Sequence, residues 1–148
     1  MRSAKLILNK VKWLWLLLLV LSFQSHAEQK KTLGNWDVHY IAFNTTFLTP
    51  EIARANNIQR SSNNTLVNIS VLDRTSKQAQ EVVITGTARN LLGNTIELDF
   101  KQVNEGDAIY YLAVMPFDDE EHYRFKIDLS QQQISQTLTF EQKLYKEQ

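Results

Sequence analysis

Apolar and polar residues alternate with a period of two along most of the chain after residue 34. Near the start of this region, Trp36, Val38 and Tyr40 alternate with Asp37 and His39. Such alternation is typical of strands with one buried and one solvated face. Together with runs of β-branched and aromatic residues, it predicts about seven strands, over residues 34–43, 67–71, 82–88, 95–103, 108–115, 122–129 and 134–143. The short spacing of these strands predicts an all-β fold, a single antiparallel immunoglobulin-like β-sandwich, with a small barrel as the alternative.

The segment after the first strand carries the signals of a helix start. Thr49 supplies a capping hydroxyl, Pro50 suits the first helical position, and Glu51 places an acid in the first turn. We therefore expect one short helix near residues 50–56. By contrast, residues 109–115 are apolar on both faces, which predicts a strand at the centre of a sheet.

The first 27 residues have the pattern of a secretory signal peptide. Four basic residues and no acid precede an apolar stretch over 13–23, and Ser25 and Ala27 supply the small residues that a signal peptidase reads. An uncleaved membrane anchor is the alternative, although the apolar stretch is shorter than the ~20 residues that a spanning helix needs. We expect cleavage of residues 1–27, export, and a single β-sandwich domain over residues 28–148 without a stable membrane span.

Removal of this segment changes the charge balance, because it holds four of the 16 basic residues and none of the 16 acidic residues. The remaining chain is mildly acidic and has no basic cluster, which argues against nucleic acid as a partner. The chain also contains no cysteine. Disulfides, thiol chemistry and thiolate metal sites are therefore excluded, and the stability of the domain depends on its apolar core.

One block of the sequence resembles a known family. Residues 36–55 read WDVHYIAFNTTFLTPEIARA, and they are followed by Ile58, Arg60, Ser61 and the run LVNISVL over 66–72. This block is similar to domain of unknown function family 4426, a group of exported gammaproteobacterial proteins, and the resemblance covers essentially the whole chain after residue 27. It implies a periplasmic or envelope protein of a Gram-negative bacterium, and it assigns no activity and no catalytic residue.

Two histidines beyond the first 27 residues make a metal site one candidate. His39 shares a strand face with Asp37, and His122 follows the acidic run 118–121, which by itself could hold a hard cation. Met115 could join His122 as a copper ligand. The alternatives are structural: a solvated strand face around His39, a solvated connection at 118–121, and a core position for Met115. No metal or other cofactor is assigned from these residues.

The sequence offers little for catalysis. It has no cysteine nucleophile and no Gly-x-Ser-x-Gly elbow, and Ser61, Ser62 and Ser70 have no histidine nearby in sequence. Paired carboxylates would need a cleft, and a compact sandwich of this size has little room for one. We therefore expect a protein without enzymatic activity.

The polar and aromatic segment 40–61 is the stronger functional candidate. The residues predicted to contact a partner are Tyr40, Asn44, Phe47, Arg60 and Ser61. Phe47 either anchors the segment in the core or presents an apolar surface. Arg60 either binds a carboxylate or phosphate or bonds to the C-terminal carbonyls of the helix. The first hypothesis is a periplasmic binding or assembly module that holds a protein or peptide partner at this segment or at a sheet edge. The alternative is a periplasmic domain that handles copper or another cation, and neither hypothesis fixes the oligomeric state.

Overall fold

The computed structural model describes residues 29–146, so the predicted signal segment 1–27 lies outside the described residues. Within the described range the strands are, in chain order, β1 Gln29–Leu33, β2 Trp36–Asn44, β3 Asn64–Asp73, β4 Val83–Asn90, β5 Thr95–Leu98, β6 Lys101–Glu105, β7 Ala108–Pro116, β8 Glu121–Gln131 and β9 Ile134–Leu144. A 3-10 turn, Thr45–Phe47, and one α-helix, α1, Pro50–Ala55, lie between β2 and β3. No helix among these residues is long and apolar enough to cross a membrane.

The strands form two antiparallel sheets that pack face to face. One sheet has the order β1-β2-β3-β7-β6, and the other has the order β5-β4-β8-β9. Without β1 and β5, this is the strand arrangement of the two sheets of an immunoglobulin-like sandwich. The predicted all-β sandwich is therefore confirmed, and each sheet carries one additional edge strand.

The described chain has nine strands rather than about seven, for two reasons. β1 carries mostly polar, exposed side chains and pairs only with β2, so its sequence has no apolar face to reveal it. The segment 95–103, predicted as one strand, is two strands, because the chain leaves the four-stranded sheet after Leu98 and enters the five-stranded sheet at Lys101. The alternation of apolar and polar residues continues through this crossing and conceals it.

Inward-facing apolar side chains from both sheets form one core. Val38 and Ile69 of the five-stranded sheet have no exposed surface. The ring of Tyr40 lies 4.6 Å from the ring of Phe140, which in turn stacks at 4.6 Å on Phe125. This aromatic series joins the first sheet to the second and contributes packing beyond simple burial of area.

The predicted helix near residues 50–56 is confirmed as α1. The hydroxyl of Thr49 accepts a hydrogen bond from the backbone N–H of Ile52 at 3.3 Å, and Pro50 occupies the start of the helix. Ala53 is buried, whereas Ile52 is half exposed. Ile52 lines a groove together with side chains of β2, β3, β6 and β7, so α1 lies over the outer face of the five-stranded sheet.

Candidate functional site

A groove of about 260 Å³ opens between α1 and the outer face of the five-stranded sheet, and we call it the outer-face groove. Asn68 on β3 and Leu112 on β7 are directly opposed in the sheet, and both line the groove. Ile52 of α1 bounds it on one side, and Val103 of β6 bounds it on the other. Most of the lining side chains are apolar, so a ligand in the groove would lose much of its contact with water.

The apolar character of the groove comes largely from β7. Tyr111 and Ala113 point into the core and are buried, whereas Tyr110 and Leu112 point outward and line the groove. The predicted central strand is an interior strand with two apolar faces, since β7 lies between β3 and β6, but the middle strand of this sheet is β3. One face of β7 belongs to the core, and the other forms part of a surface that remains open.

Asn68 places a polar side chain on the apolar floor of the groove. Its amide oxygen Oδ1 is buried and has no hydrogen-bond partner among the described residues. Buried amide oxygens are rarely unpaired, because the loss of hydration without a replacement partner costs about 1–3 kcal/mol. Leu112, which faces Asn68 across the strand pair, cannot donate a hydrogen bond. The cost of this unpaired oxygen therefore falls on the stability of the fold.

Glu105 lies at the rim of the groove on β6. Its side chain is exposed and has no ion-pair partner among residues 29–146. Tyr110, at the same end, also lines a second depression of about 260 Å³ together with His39 and Ser70. The outer face of the sheet therefore continues from the groove, past Tyr110, toward His39.

Hydrogen bonds fix the connection between β2 and β3 that carries α1. The side chain of Asn44 accepts from the backbone N–H of Thr46 at 3.0 Å and donates to the carbonyl of Ser62 at 2.7 Å. The hydroxyl of Thr45 donates to the carbonyl of Ser61 at 3.0 Å and accepts from its N–H at 2.9 Å. The two ends of the connection are therefore tied together, which holds α1 in place over the sheet.

Three of the residues predicted to contact a partner have structural positions instead. Tyr40 is 6% exposed and belongs to the core, because it points inward on β2. Asn44 is also 6% exposed, and its amide is used by the hydrogen bonds just described. Ser61 bonds to Thr45 through its backbone. The structure therefore removes Tyr40 and Asn44 from the candidate contact surface and gives Ser61 a role in the connection.

The other two predicted residues are exposed. Phe47 is 63% exposed, so it presents an apolar surface rather than anchoring the connection in the core. Arg60 donates a hydrogen bond to the carbonyl of Thr46 at 2.9 Å. That carbonyl belongs to the 3-10 turn and not to the end of α1, which was the structural alternative considered for Arg60.

The three candidate metal ligands lie in three different parts of the sandwich. Met115 points into the core and has no exposed surface. His39 lies on the outer face of the five-stranded sheet, and His122 lies on the other sheet, 3.4 Å from a carboxylate oxygen of Glu141. Residues 29–146 contain no group of three or more His, Cys, Asp or Glu side chains arranged to hold a metal ion. The separation of Met115, His39 and His122 therefore does not favour a shared metal site.

The acidic run 118–121 acts as a structural connection through Glu121. Its carboxylate accepts hydrogen bonds from the Tyr123 hydroxyl at 2.6 Å, from the Asn90 amide and from the backbone N–H of Asp118 at 3.1 Å. Burial raises the pKa of Glu121, but these three hydrogen bonds together lower it by more, so the net pKa lies below the usual value. Burial, and then the hydrogen bond to Glu121, raise the pKa of Tyr123.

Sequence reasoning did not identify Asn68 and Leu112 as site residues. A signal for Leu112 was present, because a strand that is apolar on both faces needs a second apolar environment outside the core. Asn68 gave no such signal, since a polar residue between Val67 and Ile69 is what a solvated strand face predicts. Only the placement of α1 above this face distinguishes Asn68 from an ordinary surface residue.

Comparison with solved structures identifies relatives over nearly the whole described chain. Comparison with curated protein sequences finds no match. A DUF4426 family protein from Pseudomonas aeruginosa PAO1 has a similar crystal structure, with 33% sequence identity and a TM-score of 0.72, covering 82% of this chain and 97% of that chain. The similarity between the two structures therefore extends over the whole sandwich.

Two structures of FetP from uropathogenic Escherichia coli strain F11 are also similar. A copper-bound FetP variant shares 12% identity with a TM-score of 0.59, covering 81% of this chain and 96% of that chain. FetP as isolated shares 11% identity with a TM-score of 0.59, covering 82% and 96%. At these identities the likeness shows a shared fold alone.

The family assignment rests on a match of sequence as well as structure. The sequence profile of the domain of unknown function DUF4426 matches residues 30–147. This range includes the block 36–55 from which the resemblance was first inferred, and it includes the groove residues on β3, β6 and β7. Together with the 33% identical relative, the profile match shows that the chain belongs to the DUF4426 family.

Proposed function

We propose that this protein is an exported, non-enzymatic binding module that holds an apolar segment of a protein partner in the outer-face groove. The observation that carries the proposal is the largely apolar lining of the groove, to which the outward-facing Tyr110 and Leu112 contribute. A bound segment covers apolar side chains that otherwise face solvent.

The size of the groove supports a partner segment over a whole small molecule. Its volume of about 260 Å³ is below the ~300–1,000 Å³ of pockets that enclose a complete small ligand. The groove also lies on the surface between α1 and β6 rather than inside the sandwich. One or two large side chains of a polypeptide match this space.

The chemistry of the lining supports binding over catalysis. Among the described residues that line the groove, Glu105 and Tyr110 are the ionisable ones, and no histidine or serine accompanies them. General acid–base catalysis needs a donor and an acceptor positioned at the reacting group, and nucleophilic catalysis needs an activated nucleophile. The groove contributes apolar contacts and the two amides of Asn56 and Asn68, which suit recognition.

Export is supported by the sequence of residues 1–27 and by the start of the sandwich. β1 begins at Gln29, two positions after the predicted cleavage at Ala27. Removal of residues 1–27 therefore leaves every described strand and the whole groove in the remaining chain.

Photo-crosslinking in cells tests the proposed function. The full chain is expressed in a Gram-negative bacterium with p-benzoylphenylalanine in place of Tyr110, which lines the groove. A matched control carries the same group in place of Thr139, which is exposed on the outer face of the other sheet. We expect an adduct with one defined protein from the Tyr110 position and none from the Thr139 position.

The crosslinked partner is then identified by mass spectrometry, purified, and titrated against the wild type and Leu112→Asp. An aspartate at this position faces Lys101 on β6, so the fold tolerates the change, which circular dichroism verifies. We expect at least a tenfold loss of affinity, because the substitution places a charge on the apolar floor. Equal adducts from both crosslinking positions, or unchanged affinity of Leu112→Asp, would contradict the proposal.

A further inference from the structure

We propose that the hairpin between β4 and β5 docks on the surface of a phospholipid bilayer that contains anionic lipids. Leu91 and Leu92 enter the boundary of the hydrocarbon, and Arg89 and Arg124 bind lipid phosphate groups. This contact is separate from the outer-face groove, because the hairpin belongs to the four-stranded sheet and the groove lies on the five-stranded sheet. Both surfaces can therefore be occupied at once.

The tip of the hairpin exposes two leucines that take no part in the core. Leu91 and Leu92 are the central residues of a turn, which a hydrogen bond from the Gly93 N–H to the Asn90 carbonyl closes at 3.1 Å. They are 84% and 86% exposed, the highest values among the large apolar side chains of residues 29–146. Polar residues, glycine and proline predominate at such turn positions, where side chains project into solvent. The apolar surface of the two leucines is therefore available for a contact outside the chain.

Hydrogen bonds hold this tip in one conformation. The backbone N–H of Asn90 donates to the carbonyl of Asn94 at 3.0 Å, and the side-chain oxygen of Asn90 accepts from the N–H of Asn94 at 2.9 Å. The amide of Asn90 also donates to the carboxylate of Glu121. A tip that is already ordered loses little conformational entropy when it binds.

Two arginines face each other directly behind the tip, on the outer face of the four-stranded sheet. Arg89 on β4 is opposite Arg124 on β8, and like charges in this position repel. Arg124 donates to the carboxylate of Glu141 at 2.7 Å, whereas Arg89 has no ion-pair partner among the described residues. The two arginines line a pocket of about 230 Å³ together with His122 and Leu91. An anion bound between the guanidinium groups would offset their repulsion.

The chemistry of this pocket matches a lipid phosphate. A guanidinium carries five N–H donors, so Glu141 leaves several donors of Arg124 unused. The oxygens of a phosphate group can accept hydrogen bonds from both arginines. A free phosphate or a carboxylate satisfies the arginines alone. A phospholipid in a bilayer also supplies hydrocarbon for Leu91 and Leu92.

The spacing between the leucines and the arginines matches the layers of a bilayer. Arg89 precedes Leu91 by two residues, which is about 7 Å along a strand at ~3.3 Å per residue. The polar layer on each side of the hydrocarbon core is about 5–8 Å thick. Leucines at the boundary of the hydrocarbon therefore leave the guanidinium groups at the level of the phosphates.

The acidic run 118–121 lies at the same end of the sandwich and is repelled by an anionic surface. Glu120 is paired with Lys143 at 3.1 Å, but Asp118 and Asp119 have no ion-pair partner within residues 29–146. These acids keep the neighbouring part of this end away from the lipid. The contact is therefore limited to the hairpin side, and binding is weak and reversible.

Co-sedimentation with vesicles tests the proposal. The protein purified after expression of the full chain is mixed with vesicles of phosphatidylglycerol and phosphatidylethanolamine, or with vesicles of phosphatidylcholine alone. We expect stronger binding to the anionic vesicles. Arg89→Gln should weaken it about fivefold, the effect of one basic residue at an anionic surface, and Leu92→Ser at least as much.

Matched controls come from the opposite end of the sandwich. Val83, at the other end of β4, is 70% exposed, and Arg74 lies in the connection between β3 and β4. Val83→Ser and Arg74→Gln should leave vesicle binding unchanged. Circular dichroism verifies that all four variants are folded.

A tryptophan at the tip reports insertion directly. The emission of Leu92→Trp should shift to shorter wavelength when anionic vesicles are added, whereas that of Val83→Trp should not. Trp36 is buried in the core and contributes the same background to both variants. This readout distinguishes insertion of the tip from general attraction between charged surfaces.

Inorganic phosphate distinguishes a lipid from a soluble ligand. It should reduce vesicle binding only in part, because it competes for the arginines and not for the contact of the leucines. Saturable binding of phosphate without vesicle binding would assign the pocket to a soluble phosphate ester and would overturn the proposal. Equal losses for Leu92→Ser and Val83→Ser, or an emission of Leu92→Trp that vesicles do not change, would overturn it as well.

Discussion

The phenolic oxygen of Tyr111 on β7 accepts a hydrogen bond of 2.8 Å from the backbone N–H of Val82, which precedes β4 in the opposite sheet. Both residues are buried, with exposures of 2% and 7%. Burial raises the pKa of Tyr111, and the hydrogen bond from Val82 offsets part of that rise. A neutral phenol therefore joins the two sheets inside the core by a polar contact.

Replacing Tyr111 by phenylalanine removes this contact and leaves the Val82 N–H buried without an acceptor. We expect Tyr111→Phe to lower the free energy of unfolding by about 1–3 kcal/mol. Urea denaturation followed by tryptophan fluorescence measures the change. Tyr110→Phe is the control, because Tyr110 faces the groove and its hydroxyl makes no hydrogen bond within the described residues. Equal stability of the two variants would show that the Val82 contact contributes nothing.

The carboxylate of Asp37 on β2 is shielded from solvent by cationic side chains. Its Oδ2 lies 2.7 Å from the ammonium of Lys77 and 3.5 Å from that of Lys30, and its Oδ1 accepts a hydrogen bond from Thr32 at 2.8 Å. The hydrogen bonds from Lys77 and Thr32, helped by the charge of Lys30, hold the pKa of Asp37 well below its usual value. Burial opposes this shift and is outweighed.

This shift makes stability depend on pH in the acid range. Because the folded pKa of Asp37 lies below the unfolded value of ~3.9, the carboxylate stabilises the fold above about pH 4, and this contribution is lost as the pH falls further. We expect Asp37→Asn to melt below the wild type at pH 7, with a difference that shrinks toward pH 2. Asp99→Asn, in the exposed crossing between the sheets, is the control. A difference in melting temperature that does not vary with pH would contradict this assignment.

Asn68→Leu is expected to stabilise the protein. The substitution removes a buried, unpaired amide oxygen and adds apolar surface beside Leu112. We expect the free energy of unfolding to rise by about 1 kcal/mol. Urea denaturation of the variant and the wild type measures this change. A destabilised Asn68→Leu would contradict the prediction and would indicate that the amide has a structural partner.

Glu121 connects the β4–β5 hairpin to the connection between β7 and β8. Its carboxylate accepts three hydrogen bonds, which a single amide oxygen cannot all replace. We expect Glu121→Gln to destabilise the fold by about 1–2 kcal/mol and to speed hydrogen exchange in residues 91–94 of the hairpin tip. The neighbouring Glu120→Gln, which breaks only an exposed pair with Lys143, should leave exchange at the tip unchanged. Hydrogen exchange measured by NMR distinguishes the two variants.

Export of the protein is tested by fractionation of cells that express the full chain. We expect the protein in the periplasmic fraction, with an amino terminus at Glu28 and a mass reduced by residues 1–27. Ala27→Leu, which places a large side chain at the predicted cleavage position, should accumulate the uncleaved form. Ala4→Leu is the matched control in the charged region. Uncleaved wild-type protein in the cytosolic fraction would contradict the prediction.

The sequence predicts the strands of this fold where burial imposes a pattern. Val38 and Tyr40 point into the core and alternate with polar residues, and the strand that contains them was located within two residues at its start. Thr49 and Pro50 predicted α1 because capping chemistry is local. β1 and the crossing near Leu98 escaped detection, because edge pairing and sheet membership depend on contacts between distant parts of the chain.

The candidate site was only partly predictable, for the same reason. The sequence directed attention to the segment 40–61, and that segment supplies α1, which forms one wall of the groove. Tyr40 and Asn44 were expected at the surface, but their orientation on β2 and at its end places them inside. Asn68 became a candidate site residue only when the structure showed that α1 and β6 enclose the outer face of β3 at this position.

The first strand has a consequence for the cleavage predicted after Ala27. β1 lies at the edge of its sheet and four of its five side chains are exposed, but Leu33 packs against the core. Lys30 and Thr32 contact Asp37, and Lys31 bonds to the carbonyl of Thr139 on β9. A peptidase that acted beside Ala27 on the folded chain would have to release these contacts, so the predicted cleavage is favoured before β1 pairs with β2.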